Sequence, residues 1–127
     1  LKSYTKNFHN VMDEYSFYVM SSRYEAFPCV LIEAQAKGLP IISFDCKTGP
    51  NEIIEDKENG ILVEQENDSK LSEAIIDLIE NKEVREKMSQ SAINNSKKFT
   101  LTSICTKWKF LFIEVKEENE KIKKGFK

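Results

Sequence analysis

Apolar residues form three short runs in the first half of the chain. The runs are Tyr15–Met20, Pro40–Phe44 and Gly60–Val63, and polar segments containing Gly and Pro separate them. Runs of this length that are rich in aromatic and β-branched residues favour strands buried in a parallel sheet. A proline is tolerated at the first position of a strand, and the third run is brief enough for an edge strand.

Helices are predicted between these strands. A short helix is expected over about residues 8–13, from apolar residues at helical spacing. The next helix is expected to begin at Pro28, because proline is favoured at the first helical position, and to end at Gly38. Pro50 marks the start of another short helix. Strand, loop, helix and strand in this order predict a parallel α/β sheet, whose ligands bind at the loops that follow the strands.

The second half of the chain has the 3.6-residue periodicity of helices. Asp68 is the predicted cap of the first helix, whose apolar stripe consists of Leu71, Ala74, Ile75, Leu78 and Ile79. A second helix carries Val84, Met88 and Ala92 on one face. A third is expected to begin near Thr102, and its apolar face consists of Ile104, Trp108, Leu111, Phe112 and Val115. The segment Lys116–Lys127 is dense in both charges and is expected to fray.

Composition narrows the class of function. The chain has 127 residues, 40% of them hydrophobic, and a formal charge of −2, which argues for one globular domain and against a nucleic-acid binder. No apolar run approaches the about 18 residues of a membrane span, and no signal peptide opens the chain. Because the chain begins with Leu1, we expect it to be a piece of a longer protein.

Cysteine and histidine often take part in catalysis or metal binding, but in this sequence they give little evidence of either. The three cysteines, an odd number at wide spacing, fit neither a disulfide framework nor a zinc site, and they favour a reducing cytoplasm. The lone His9 has no second ligand or base nearby in the sequence, so we expect it at the surface.

Two glutamates flank the predicted start of the second helix. Glu25 lies in the loop after the first strand, and Glu33 lies one turn beyond Cys29. Because carboxylates repel phosphate but accept hydrogen bonds from hydroxyl groups, this pair suits a ligand with hydroxyl groups on both sides of a phosphate. A sugar nucleotide has this layout. The competing interpretation is an ordinary loop acid and a solvated helical residue.

The helix start itself predicts an anion site. A helix that begins at Pro28 leaves the backbone N–H groups of about Cys29, Val30 and Leu31 without helical partners. These groups and the positive end of the helix dipole attract a phosphate.

Longer stretches of the sequence resemble family 4 glycosyltransferases. The similar segments are Ser22–Ala34, Lys37–Pro50, Glu52–Ile54 and Glu58–Val63, and the similarity continues through the helical half to the Trp108 helix. The resemblance implies a retaining enzyme of the type B architecture, with two Rossmann-like domains. This chain would be the second half of the C-terminal, donor-binding domain. The expected fold is a three-layer Rossmann-like parallel sheet with the donor motif over residues 1–63, followed by a helical tail over residues 64–127.

The resemblance also implies roles for single residues. Glu25 would contact hydroxyl groups of the transferred sugar and is the candidate catalytic residue, and Glu33 would bind the ribose. Many family members have Gly where this chain has Ala26, whose methyl group would crowd the sugar or restrict the loop. The predicted donor-binding residues are Glu25, Ala26, Phe27, Pro28, Cys29, Val30 and Glu33.

Backbone amides carry the remaining contacts that the resemblance implies. The N–H groups of Phe27, Cys29 and Val30 would hold the sugar and the distal phosphate. The family's basic pair, which neutralises the diphosphate, belongs to a part of the domain upstream of these segments, so the isolated chain is expected to be inactive. No Asp-x-Asp pair occurs, and the family needs neither metal nor cofactor because positioned donors stabilise the leaving group.

The expected partners follow from the same resemblance. The donor is a UDP- or GDP-type nucleotide sugar, and the acceptor is a glycan or a polyprenol-linked molecule held by an N-terminal domain. The Asp45–Pro50 segment is similar to members that build bacterial surface polysaccharides, teichoic acids and lipid-linked glycans. Such members work in the cytoplasm, in some cases at the inner face of the plasma membrane. Without its upstream neighbour, the Tyr15–Met20 strand would be an exposed edge through which the chain self-associates.

Two other functions compete with this one. The chain could be a catalytically inactive Rossmann-like module that binds a nucleotide sugar or regulates a partner. A flavodoxin-like receiver would need acids clustered at strand ends for Mg²⁺, and Asp45 alone does not supply them. The terminal segment Lys121–Lys127 could touch an anionic membrane, although a solvated tail is the favoured interpretation.

Overall fold

The computed structural model describes residues 8–125 of the chain. Three strands, β1 (Tyr18–Met20), β2 (Ile41–Phe44) and β3 (Gly60–Val63), form one parallel sheet in the order β1-β2-β3. The helices are α1 (Phe8–Met12), α2 (Cys29–Ala36), α3 (Pro50–Ile53), α4 (Asp68–Glu80), α5 (Lys82–Ser96) and α6 (Leu101–Gly125), with a 3₁₀ turn at Lys97–Phe99. The predicted Rossmann-like α/β fold with C-terminal helices is confirmed.

The chain divides into two compact units between Ser96 and Lys97. The first unit contains the sheet and helices α1 to α5, and the second contains the 3₁₀ turn and α6. The predicted donor-binding residues all belong to the first unit.

Helices cover both faces of the sheet. Because successive strand residues point to opposite faces, neighbouring positions supply two different cores. Ile42 of β2 packs with Leu78 of α4 on one face. On the other face, Met12 of α1 packs with Ala34 of α2, and the half-buried Tyr18 of β1 lies against them. The result is the predicted three-layer arrangement.

The central strand β2 is buried at every position, while β1 and β3 form the two edges of the sheet within the described residues. The edge position predicted for Gly60–Val63 is therefore confirmed. The position of β1 agrees with the expected exposed edge, and self-association through that edge remains a prediction.

The predicted strand Tyr15–Met20 is too long, since β1 begins at Tyr18. The register places Tyr18 opposite Ile41, and the N–H of Tyr18 donates to the carbonyl oxygen of Pro40 at 2.9 Å. Pro40 has no N–H with which to continue the ladder, so the strand pairing starts there. The prediction that this whole run is buried is also wrong, because Tyr18 and Val19 are only half-buried.

Three helix ends differ from the predictions. Pro28 precedes α2 as its cap, and the helix begins one residue later. Asn67 caps α4 in place of Asp68, because its side chain accepts a hydrogen bond from the N–H of Lys70 at 3.0 Å. The expected fraying after Lys116 is wrong for the described residues, since α6 continues to Gly125; residues 126–127 lie outside them.

The end of α2 follows the prediction. Gly38 has a φ of +75°, a left-handed conformation that glycine adopts without a steric penalty. Its N–H donates to the carbonyl oxygen of Gln35 at 2.9 Å, and the next N–H, of Leu39, donates to Ala34 at 3.0 Å. These bonds satisfy carbonyl groups that the last helical turn leaves open.

Candidate functional site

The two candidate carboxylates lie on either side of the start of α2. Glu25 is in the loop of residues 21–28 between β1 and α2, and Glu33 is on the second turn of the helix. Both residues are half-buried. Within residues 8–125, neither carboxylate forms a hydrogen bond or an ion pair. Both are therefore available to accept hydrogen bonds from a ligand.

Both carboxylates influence the phenol of Tyr18. Burial raises the pKa of the Tyr18 phenol, and the negative charges of Glu25 and Glu33 raise it further. Such influence falls with distance and with screening, so the phenol lies within the electrostatic range of both acids. The sequence patterns did not indicate Tyr18.

The start of α2 offers fewer backbone donors than predicted. The N–H of Leu31 donates to the carbonyl oxygen of Pro28 at 2.9 Å, which removes it from the predicted set. The N–H groups of Cys29 and Val30 donate to no group among the described residues. Cys29 is exposed and Val30 is half-buried, so the first turn of α2 is open at this end.

Side chains from two other loops hold the backbone of the Glu25 loop. Cys46, which follows β2, donates its thiol hydrogen to the carbonyl oxygen of Ser22 at 3.0 Å. Burial raises the pKa of the Cys46 thiol, and the charges of Glu25 and Asp45 raise it further, so it stays protonated as this bond requires. These contacts join the ends of two adjacent strands.

The Glu25 loop is held at two further carbonyl groups. The carbonyl oxygen of Glu25 accepts a hydrogen bond from the hydroxyl group of Thr48 at 2.7 Å. Gln65, which follows β3, donates through Nε2 to the carbonyl oxygen of Arg23 at 2.8 Å. The guanidinium group of Arg23 in turn pairs with the carboxylate of Glu66 at 3.0 Å. This exposed ion pair adds little stability by itself. Like the hydrogen bond from Gln65, it links the loop after β1 to residues that follow β3.

Gly49 fits closely beneath the start of the donor-binding segment. Its φ is +98°, and a Cβ atom there would lie 2.8 Å from Cδ of Pro28 and 3.0 Å from the carbonyl oxygen of Ala26. A side chain at this position would push the Glu25 loop outward. Ala26 itself is exposed, and the effect of its methyl group on a ligand remains a prediction.

A buried group of amide side chains anchors α2 from behind. Gln35 is buried two residues after Glu33, and its Oε1 accepts a hydrogen bond from Nδ2 of Asn95 at 2.9 Å. The same Nδ2 donates to the carbonyl oxygen of Ile53 at 2.7 Å, and Nε2 of Gln35 donates to Oδ1 of Asn59 at 3.1 Å. We name Gln35, Asn59 and Asn95 the amide network. It connects α2 to α5 and to the segment after α3.

Sequence reasoning missed the residues that support the carboxylates. They are Tyr18, Cys46, Thr48, Gly49, Gln65 and the amide network. One signal could have found several of them: the carboxyl ends of neighbouring parallel strands meet at one edge, so residues just after β2 and β3 approach the loop after β1.

Two other residues, His9 and Asp45, are candidates outside the predicted donor-binding set. His9 is exposed on α1, as predicted. Asp45 accepts a hydrogen bond from Asn51 at 3.0 Å. Across the described part of the chain, no three His, Cys, Asp or Glu side chains are grouped so that they could hold a metal ion. None of the helices described is both long and apolar enough to cross a membrane.

Residues 2–95 match the family described as Glycosyl transferases group 1. The chain belongs to this family. Amylovoran biosynthesis glycosyltransferase AmsD of Erwinia amylovora is 42% identical over 89 residues, which make up 70% of this chain and 25% of that protein. Poly(ribitol-phosphate) alpha-N-acetylglucosaminyltransferase of Staphylococcus aureus is 33% identical over 113 residues, or 88% of this chain and 23% of that protein.

The glycosyltransferase fold is shared with solved structures. A mutant of Staphylococcus aureus TarM, solved in complex with fondaparinux, alpha-GlcNAc-glycerol and UDP, is 33% identical, with a TM-score of 0.80. The alignment covers 88% of this chain and 23% of TarM. This group 1 chain spans about a quarter of the length of the two curated relatives named above, 25% of the first and 23% of the second.

Proposed function

We propose that this chain carries the donor half-site of a retaining family 4 glycosyltransferase. The observation that carries the proposal is the pair of unpartnered, half-buried carboxylates, Glu25 and Glu33, on either side of the open start of α2. Between them, the N–H groups of Cys29 and Val30 donate to no described residue. Oxygen acceptors on both sides of such donors suit a ligand with hydroxyl groups on both sides of a diphosphate.

In this proposal the two acids read different parts of the donor. Glu33 accepts hydrogen bonds from the ribose, and Glu25 accepts them from hydroxyl groups of the transferred sugar. The N–H groups of Phe27, Cys29 and Val30 hold the sugar and the distal phosphate.

Glu25 is the proposed catalytic residue because it touches the transferred sugar. Leaving-group departure relies on positioned donors and the dipole of α2 rather than on a metal ion. The basic groups that complete diphosphate binding are supplied from outside these 127 residues. Residues 1–127 alone should therefore bind the donor weakly and transfer nothing.

The relatives favour a polymer acceptor and a UDP-type donor. The Staphylococcus aureus relative is named for poly(ribitol-phosphate), and the TarM complex contains UDP. We propose that this protein transfers a hexose in the synthesis of a bacterial surface polysaccharide, teichoic acid or lipid-linked glycan. It would act in the cytoplasm, at the inner face of the plasma membrane where such acceptors are held.

The test compares Glu25→Gln, Glu33→Gln and Glu73→Gln in the full-length gene product, with a panel of UDP and GDP sugars. Glutamine keeps the shape of each side chain but removes its charge. We expect about a hundredfold loss of kcat for Glu25→Gln and about a tenfold rise in KM for Glu33→Gln. Glu73, exposed on α4, is the matched control and should behave as wild type.

Two results would count against parts of the proposal. Unchanged turnover in both site variants would remove Glu25 and Glu33 from the site. Binding of a nucleotide sugar by the wild-type protein without transfer from any donor would favour the inactive binding module. Retention is checked separately, by the anomeric configuration of the product in NMR.

A further inference from the structure

The Glu25 loop lacks regular structure, yet three of its carbonyl groups accept hydrogen bonds from other loops. The donors are Cys46 to Ser22, Gln65 to Arg23 and Thr48 to Glu25, at 3.0, 2.8 and 2.7 Å. Water can satisfy a loop carbonyl, so three side-chain donors on one short loop restrict its conformation more than hydration would.

Thr48 differs from the other two donors because its acceptor belongs to Glu25 itself. A hydrogen bond to the carbonyl of a residue fixes the peptide plane that follows it. That plane contains the Cα atom of the residue, so only rotation about the Cα–C bond is left to change the direction of its Cα–Cβ bond. The carboxylate of Glu25 forms no bond with any residue in the 8–125 range, so its side chain gives no such restraint.

Thr48 is itself held in place by its neighbour. Gly49, at a φ of +98°, packs against Pro28 and the carbonyl oxygen of Ala26, directly after Glu25 in the loop. Glu52 accepts a hydrogen bond from the N–H of Gly49 at 3.3 Å. The turn is thus tied to α3 on one side and to the loop on the other.

We propose that Thr48 is a positioning residue for Glu25, an inference that rests on the proposed function. The hydroxyl group of Thr48 acts through the Glu25 backbone and holds the carboxylate where it meets the transferred sugar. Displacement of a catalytic group by about 1 Å costs up to about a hundredfold in rate, so one hydrogen bond suffices to matter.

The competing explanation is that Thr48 only stabilises its own turn. Thr48 is exposed, so a purely structural role predicts a small change in stability and the same loss of activity whether or not Glu25 is functional. A positioning role predicts a loss that depends on Glu25. The two explanations therefore differ in a double-mutant cycle.

The experiment uses the full-length gene product with Thr48→Val, Thr48→Ser, and Thr48→Val combined with Glu25→Gln. Valine removes the hydroxyl group at nearly constant shape, and serine keeps it. We expect about a tenfold fall in kcat for Thr48→Val with little change in KM, recovery to within about twofold for Thr48→Ser, and no further fall in the Glu25→Gln background.

The matched control is Thr106→Val. Thr106, on α6, also donates from an exposed hydroxyl group to a carbonyl oxygen, of Thr102 at 2.8 Å. It makes the same kind of bond outside the candidate site and should leave kcat unchanged. Equal losses in the presence and absence of the Glu25 carboxylate, or no recovery with serine, would overturn the positioning role.

Amide hydrogen exchange keeps the inference testable if the protein transfers no sugar. Thr48→Val should speed exchange in residues 22–27 relative to wild type and to Thr106→Val. Thr48→Ser should leave it unchanged. Unaltered exchange in Thr48→Val would overturn the inference by itself, whereas absent transfer in the wild type would overturn only the proposed function.

Discussion

Helices α4 and α6 both carry apolar residues at helical spacing, but the two apolar stripes lie in different environments. Most of the α4 stripe lies against the sheet, where Leu78 has 0% of its surface exposed, but the predicted stripe residue Ile79 is 60% exposed. On α6, Trp108 and Phe112 are 55% and 65% exposed, and their rings pack against each other with centroids 5.7 Å apart. Periodicity therefore predicts a helix and its apolar face, but it does not predict what covers that face.

The two helices also differ in what stabilises them. A helix of the length of α4 is marginal in water, and packing of its apolar face supplies most of its stability. The 25 residues of α6 gain more from length and from contacts between residues three or four positions apart. Substitutions in the two helices should therefore have unequal effects.

The largest effect is expected from truncation of the buried stripe. Leu78→Ala should lower the free energy of unfolding by about 3 kcal/mol, because it removes buried surface and leaves a cavity. Leu111→Ala in α6, where the leucine is 47% exposed, should cost less than about 1 kcal/mol. Urea unfolding of the full-length gene product, followed by far-ultraviolet circular dichroism, measures both. Equal losses would mean that α6 is as firmly packed as α4.

A smaller effect is expected from polar groups on α5, which belongs to the same unit as α4, and on α6. Asn95→Ala should cost about 2 kcal/mol, because it leaves the buried Oε1 of Gln35 without its donor. Asn119→Ala, on the exposed surface of α6, should stay within about 0.5 kcal/mol of wild type. The same urea titration applies. A neutral Asn95→Ala would show that water replaces the lost hydrogen bond.

The smallest effect concerns the helix caps. Asn67 caps α4, and Thr100 accepts a hydrogen bond from the N–H of Ser103 at 3.3 Å in the same way at the start of α6. Asn67→Ala should lower the free energy of unfolding by about 1 kcal/mol. Thr100→Ala should instead speed hydrogen exchange in the first turn of α6 without moving the urea midpoint. A shift of the midpoint by Thr100→Ala would show that α6 unfolds together with the sheet.

Local chemistry predicted much of the fold correctly. Residues close in the sequence determine three of its features: the buried strand β2, the short helix at Pro50 and the end of α2 at Gly38. The start of β1 is not determined in this way, because it depends on which residue of β2 lies opposite. Asn67 and Asp68 are both good caps in adjacent positions, so their sequence leaves the choice between them open.

The candidate site also combines features that nearby residues determine with features that depend on distant residues. The positions of Glu25 and Glu33 relative to α2 follow from spacing along the chain. Thr48 could not be found in this way, because its acceptor lies 23 residues earlier and depends on how two loops meet. The lost donor at Leu31 is likewise a detail of the first helical turn that spacing leaves open.

The amide network also sets an order of events during synthesis. Gln35 and Asn95 are separated by 60 residues, so at about 5–20 residues per second the ribosome adds the second about 3–12 s after the first. Until then, burial of Gln35 would leave its Oε1 without a donor. The buried hydrogen bonds of Gln35 can therefore be completed only after Asn95 has emerged from the ribosome.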